Sequence, residues 1–255
     1  MSKEITHRLA LRQFDGFLSV GERNREYLIH CGVPPKLIFS SPHFVDNEWF
    51  AARAAAARKW RDSIRGQWLA DESIFVVLFV GKFIPKKRPL DLVKALGLLV
   101  RKGLRMTAVF VGAGELEKEM RDLVEEQKVQ ARFEGFRNQT ELPQFYASAD
   151  TLVLPSDGGE TWGLVVNEAM ACGLPAIVSD AVGCASDLID EGKTGFTFPK
   201  GDYVQLANHL DQLATMKAQN LIHRKWLADK VANYSIQAAM NGILHAVTER
   251  CIKKL

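Results

Sequence analysis

The sequence predicts an α/β protein built on a doubly wound parallel sheet, and three observations lead to it. Short apolar runs at 74–80, 106–111, 132–136, 151–154, 176–179 and 195–198 alternate with longer stretches whose apolar residues recur at helical spacing. Most of these runs are predominantly apolar rather than apolar at every second residue, as strands covered on both faces are. The glycines and charged residues that could bind a ligand fall directly after the runs, where sheets of this kind place their ligands.

The chain has 255 residues, 47% hydrophobic and 25% charged, enough for one large domain or two small ones and too apolar to be disordered. Its 33 basic and 30 acidic residues leave a net charge of +3, too balanced to indicate nucleic acid, although a basic patch facing anionic lipid remains compatible with it. Cys31, Cys172, Cys184 and Cys251 are scattered, with no C-x-x-C pair and no His at zinc spacing, so no metal, cofactor or disulfide framework is expected and a reducing cytoplasm fits. No run is long enough to span a bilayer, and residues 1–12 lack the apolar core of a signal peptide. Any membrane contact is expected to be peripheral.

Taken in order, 7–12 reads as the end of a helix, 14–20 as a buried strand, 22–32 as a helix closed by Gly32, and 38–41 as a second short strand. So few strands seldom stand alone. The Ala-rich stretch 51–69 is helical by composition. Its Arg53, Arg58, Lys59, Arg61 and Arg65 suit acidic lipid headgroups or, as its mostly Ala apolar face favours, a solvated interdomain helix. The run at 74–80 ends in GKFIPKKRP, which puts Gly81, Lys82 and Lys87 at a strand's exit. The next loop, VGAGELEKEM, carries Gly112 and Gly114, equally readable as a ligand turn or as close packing. In FEGFRNQTEL, Phe136 is equally readable as plain core or as a wall for a nucleobase. Residues 202–230 form an amphipathic helix with Leu206, Leu210, Leu213 and Leu221 as core candidates, and 234–253 form a last helix with Met240, Ile243, Leu244 and Val247 on its apolar face.

Residues 155–175, PSDGGETWGLVVNEAMACGLP, organise the rest. A strand delivers the backbone into a loop of Ser, Asp and Gly that opens a helix at Leu164, so free amides and the helix dipole converge on one point suited to phosphate. Glu160 and Glu168 lie on either side of that helix start, neither with a basic neighbour in sequence, and carboxylates accept hydrogen bonds from hydroxyls. Phosphate-binding amides between two hydroxyl acceptors describe a site for a sugar nucleotide.

The spacing of Glu160 and Glu168, with TWGL between them, EAMACGLP after them and DEGKTGF further on, resembles the E-x7-E motif of retaining family 4 glycosyltransferases of the GT-B fold. The resemblance implies a Rossmann-like donor-binding domain at 72–232, preceded by a remnant of the N-terminal, acceptor-binding GT-B domain at 1–45 and a helical linker at 46–71, and followed by a crossover helix at 233–255. It implies that Glu168 binds ribose hydroxyls, that Glu160 holds sugar hydroxyls near the reacting carbon, and that Trp162, Gly163, Leu164 and Val165 frame the sugar and phosphates with their amides. By the same resemblance Lys82 and Lys87 neutralise the diphosphate, and Gly81 and Phe136 line the donor site. Lys82 departs from the usual Arg and lacks its bidentate fork; Arg88, where relatives often have Gly, offers partial compensation. The loop around Cys184 and Ser186 departs from relatives too, and both Cys172 and Cys184 read as packing residues rather than nucleophiles.

The expected activity is transfer from a UDP-, GDP- or ADP-sugar to a glycan or lipid-linked acceptor with retention of configuration, in polysaccharide biosynthesis. The absence of Asp-x-Asp fits a scheme in which lysines do the work of a metal. A different class of reading is a truncated, non-catalytic nucleotide-sugar binding subunit that needs a partner chain for the missing N-terminal domain. An epimerase or phosphorylase on the same fold is a third; no pyridoxal-binding lysine environment stands out.

Overall fold

The computed structural model describes residues 3–250, with side chains from Thr6 inward at one end and up to Glu249 at the other. The chain divides into two compact units, Met1–Asp46 with Ala232–Leu255, and Asn47–Val231.

In the first unit, α1 (Lys3–Leu11) precedes β1 (Phe17–Ser19), α2 (Glu22–His30) and β2 (Ile38–Ser40). The two strands pair in parallel, with Phe17 opposite Ile38 and Ser19 opposite Ser40. Strand β1 is shorter than the run 14–20 suggests: Phe14 is exposed, and only Ser19 of the three strand residues is buried. The last helix of the chain closes on this pair. Its Gly242 lies so near Ser40 that a Cβ would come within 1.7 Å of the Ser40 carbonyl oxygen, so helix and strand touch backbone to backbone.

In the second unit, α3 (Asn47–Ala57) and α4 (Arg61–Gln67) lead into β3 (Phe75–Val80). The chain then alternates through α5 (Pro89–Arg101), β4 (Met106–Val111), α6 (Glu117–Glu126), β5 (Gln130–Phe133), α7 (Leu142–Ser148), β6 (Thr151–Leu154), α8 (Leu164–Ala171), β7 (Ala176–Ser179), α9 (Ala185–Leu188), β8 (Gly195–Phe198), α10 (Tyr203–Ala218) and α11 (Arg224–Ala232). In the first unit, α12 is Ile236–Arg250; positions 251–253 of the expected last helix, and Cys251, lie outside the described residues. The six strands are parallel in the order β5-β4-β3-β6-β7-β8. The order reverses at β3, the first strand of the sheet, and parallel crossovers therefore place helices on both faces. One face buries Leu92, Leu96 and Leu99 of α5, Met120 of α6 and Leu206, Leu210 and Leu213 of α10 against the sheet. On the other side of the unit, Trp68 stacks on Phe145 of α7.

Three expectations change. The 51–69 stretch is solvated on one side only: it breaks at Arg58–Trp60, Arg53 and Lys59 are exposed, and Arg65 is 1% exposed. Arg65 bonds the carboxylate of Asp150 at 3.0 Å, beside Arg61 at 2.7 Å and Lys217 at 2.8 Å. The arginines proposed for lipid are thus partly consumed as internal pins, because a buried guanidinium must be paired. Strand β5 ends at Phe133 rather than 136, since Gly135 turns left-handed (φ 66°). The 202–230 helix is two helices, broken where Asn220 takes φ 56°, and Leu221 beyond that break is exposed rather than core.

Candidate donor-binding site

The loops that leave the carboxyl ends of five adjacent strands are bonded to one another in a row. Gly112 N–H donates to Gly135 O (2.8 Å), Phe83 N–H to Ala113 O (3.0 Å), Asp157 N–H to Lys86 O (2.8 Å) and Gly183 N–H to Glu160 O (3.0 Å). Glycine permits two of these approaches: a Cβ on Gly112 would lie 1.9 Å from Gly81 O, and one on Gly183 would lie 1.9 Å from Thr161 O. The glycines of 112–114 therefore serve loop-on-loop packing, which decides between the two readings of that segment. Strands β3 and β6 pair at Val77↔Thr151 and Leu78↔Leu152, and between them lies the switch point of the sheet, beyond whose carboxyl ends folds of this kind bind their ligands.

Lys87, from the loop after β3, and Glu160, from the loop after β6, meet there, Nζ against Oε2, with side chains 16% and 15% exposed. The pairing is invisible in sequence, 73 residues apart. Ser156 Oγ lies 3.4 Å from the same carboxylate oxygen. Lys82 is exposed at the start of the loop. Arg88 does not join them. It sits at φ 49°, the left-handed region that glycine favours, which explains the glycine of the resembled family, and its Nε is bonded to Asp91 at 2.6 Å.

Gly163, at φ 99°, turns the chain into α8, and among the described residues no side chain caps that helix start. The first-turn amides of Leu164 and Val165 have no carbonyl four residues back within the helix. Trp162 is 4% exposed and its indole N–H donates to Asn167 Oδ1 at 2.8 Å, so its ring braces the loop while only its backbone faces the turn. Phe136 is 79% exposed, just past the β5 end, so it is not core.

Glu168, one turn into α8, is 8% exposed. Its Oε2 accepts a 2.6 Å hydrogen bond from the Tyr146 hydroxyl of α7. Burial pushes the Glu168 carboxyl above the usual carboxylate range, against the opposing pull of hydrogen bonds from Tyr146 and Gln139. Burial, then the Glu168 charge, raise the Tyr146 phenol far above its ordinary value, so it is a donor at any working pH. Sequence reasoning passed over Tyr146 and Gln139; the available signal was one tyrosine in the otherwise apolar LPQFYAS helix, a hydroxyl that burial obliges to find a partner. Cys172 and Cys184 are buried, and burial drives the Cys172 thiol far out of the nucleophilic range. Among the described residues no group of three or more His, Cys, Asp or Glu is placed to hold a metal ion, and no helix is long and apolar enough to cross a membrane.

A doubly wound parallel sheet of six strands with helices on both faces defines the class: an α/β domain of the kind found in GT-B glycosyltransferases. Residues 61–228 match the family of glycosyl transferases group 1, and the chain belongs to it. It is 34% identical over 171 residues to the sulfoquinovosyl transferase of Arabidopsis thaliana, covering 66% of this chain and 32% of that protein. It is 31% identical over 228 residues to a GDP-mannose-dependent alpha-mannosyltransferase of Mycobacterium tuberculosis, covering 86% and 54%. The chain thus spans about half the length, or less, of such curated relatives. Among solved structures, Anabaena HepE in complex with UDP superposes with a TM-score of 0.79 at 20% identity, over 97% of this chain and 68% of that one. A glycosyltransferase from Rickettsia africae gives 0.82 at 16%, over 97% and 66%. At such identities the superpositions establish the fold.

Proposed function

We propose that the chain binds a nucleotide sugar at the β3–β6 switch point and supports transfer of its sugar, with retention of configuration, to a glycan or lipid-linked acceptor. The observation that supports this most directly is the pairing of Lys87 with Glu160, a cation with a hydroxyl acceptor, on the loops after β3 and β6, the second of which leads into the uncapped α8. The α8 amides and Lys82 and Lys87 take the diphosphate, Glu160 the sugar hydroxyls and Glu168 the ribose hydroxyls, with Gly81 and Phe136 at the site's edge. Binding of the diphosphate draws Lys87 away from Glu160 and frees that carboxylate for the sugar. The bond from the anomeric carbon to the phosphate oxygen breaks with its electrons moving to phosphate, where fixed cations and aimed amides stabilise the growing charge. The acceptor oxygen bonds to the same carbon on the face the phosphate leaves, and the acceptor's proton passes to a phosphate oxygen. The scheme calls on no cofactor. An acceptor-binding partner chain or domain completes it, and with a lipid-borne acceptor membrane contact is peripheral, at the cytoplasmic face.

Relatives that act on GDP-mannose or were solved with UDP make the base an open choice. Calorimetric titration with UDP, GDP and ADP, repeated on Glu168→Gln, tests the reading. One nucleotide binding in the micromolar range, and much more weakly in the variant, supports it; a folded chain that binds none of the three overturns it.

A further inference from the structure

We infer that Tyr146 is a positioning residue for donor recognition: its hydroxyl fixes one oxygen of Glu168 and thereby presents the other to the donor's ribose, an inference that rests on the ribose-binding reading of Glu168. The geometry is specific. Tyr146 is 1% exposed, its hydroxyl proton is directed at Glu168 Oε2 at 2.6 Å, and a carboxylate held at one oxygen loses its freedom to rotate. Gln139, on the exposed turn before α7, supplies a second side-chain hydrogen bond to the same carboxylate. Both donors come from one short stretch, 139–146, that sits against α8. Hydroxyl recognition requires an acceptor, and burial works against the ionised form of Glu168. Each donor from this stretch favours that form.

The titratable groups around Glu168 are Tyr146 from α7 and, on its own helix, Cys172, with Arg58 beyond the thiol. The Cys172 thiol stays neutral, so the carboxylate's own ionisation sets the acid limit of ribose binding. That limit lies above the ordinary glutamate value. Removing the Tyr146 hydroxyl takes away a bond to the charged form and moves the limit higher still.

The test uses Tyr146→Phe, which keeps the buried ring, and Gln139→Ala at an exposed position, each checked for folding by thermal melting. Whichever of UDP, GDP or ADP binds the unmodified chain is titrated at a series of pH values from acid to neutral, beside its 2′,3′-dideoxy counterpart. Expected for Tyr146→Phe is about tenfold weaker binding of the ribonucleotide near neutral pH, unchanged binding of the dideoxy compound and an acid limit displaced upward; Gln139→Ala shifts both readouts the same way by less. If the unmodified chain prefers the ribonucleotide and Tyr146→Phe keeps that preference and pH limit, the positioning role is overturned while Glu168 stands as the ribose acceptor. If the unmodified chain does not distinguish the two nucleotides, the ribose reading fails and this inference fails with it. Equal loss for both nucleotides would show a packing role and overturn it as well.

Discussion

Neutralising Glu160 should tighten, not weaken, the binding of a nucleoside diphosphate. Lys87 and Glu160 form an ion pair with side chains 16% and 15% exposed. Unit charges about 4 Å apart at an effective dielectric near 20 attract by about 4 kcal/mol. Loss of water from both groups offsets most of that and leaves roughly 1 to 1.5 kcal/mol. A diphosphate that recruits Lys87 must first give up this pair, and it then faces the liberated carboxylate as a like charge. Glu160→Gln removes both costs, so the nucleoside diphosphate should bind about tenfold more tightly, a change of about 1.4 kcal/mol. The intact nucleotide sugar should gain less, because its hexose exchanges a charged acceptor for a neutral amide. Calorimetry on the two ligands with the two proteins reads the difference, and raised salt should narrow it. Unchanged or weaker diphosphate affinity in a folded Glu160→Gln would refute the competition between donor and ion pair.

Asp150 serves stability. Burial would raise its carboxyl, but Arg65 and Lys217, with a hydrogen bond from the Val76 amide, hold it below the usual range. Its contribution is therefore present above the ordinary aspartate value and is lost as pH falls through the lower, folded value. Asp150→Asn, which leaves the buried Arg65 only the half-exposed Glu72, 3.5 Å from its Nε, as a carboxylate partner, should cost about 3–5 kcal/mol in urea unfolding; a loss under about 1 kcal/mol would show that Glu72 and backbone carbonyls suffice. Glu168 has the opposite sign. Its raised folded value makes stability fall as pH rises through it, so Glu168→Gln should melt higher at neutral pH while binding nucleotide more weakly, and a lower melting temperature would contradict this. Phe136→Ala should weaken nucleotide binding by about 1–3 kcal/mol and leave the melting temperature unchanged, as expected of a side chain 79% exposed; unaltered affinity would remove Phe136 from the site. Gly183→Ala forces the loop of Glu160 and Trp162 to move, since the new Cβ meets Thr161 O at 1.9 Å, and should abolish binding in a protein that circular dichroism shows to be folded.

Local rules were enough for the sheet. Strands β4, β6, β7 and β8 begin and end where their apolar runs do, because strands buried on both faces need apolar residues throughout and their ends are marked by Gly, Pro and polar residues. The start of α8 at Leu164 was readable for the same reason, with Gly163 as the only kind of residue comfortable at φ 99°. Resemblance to a known family carried Glu160, Glu168 and the lysine loop to their expected neighbourhood.

What sequence could not supply was partnership over distance. Arg65 looked like one more solvated charge of an Ala-rich helix until Asp150, 85 residues away, enclosed it. Arg88 looked available until Asp91 and a left-handed backbone fixed it in place. Glu160 had no basic neighbour in sequence, yet Lys87 lies against it in space, and the buried Tyr146 became part of the site only when α7 was laid beside α8. Composition and periodicity are local quantities and decide which segments become strands and helices. The state of a charged or hydroxyl group depends on which others share its low-dielectric surroundings, and only the packing of the loops and helices around the sheet decides that.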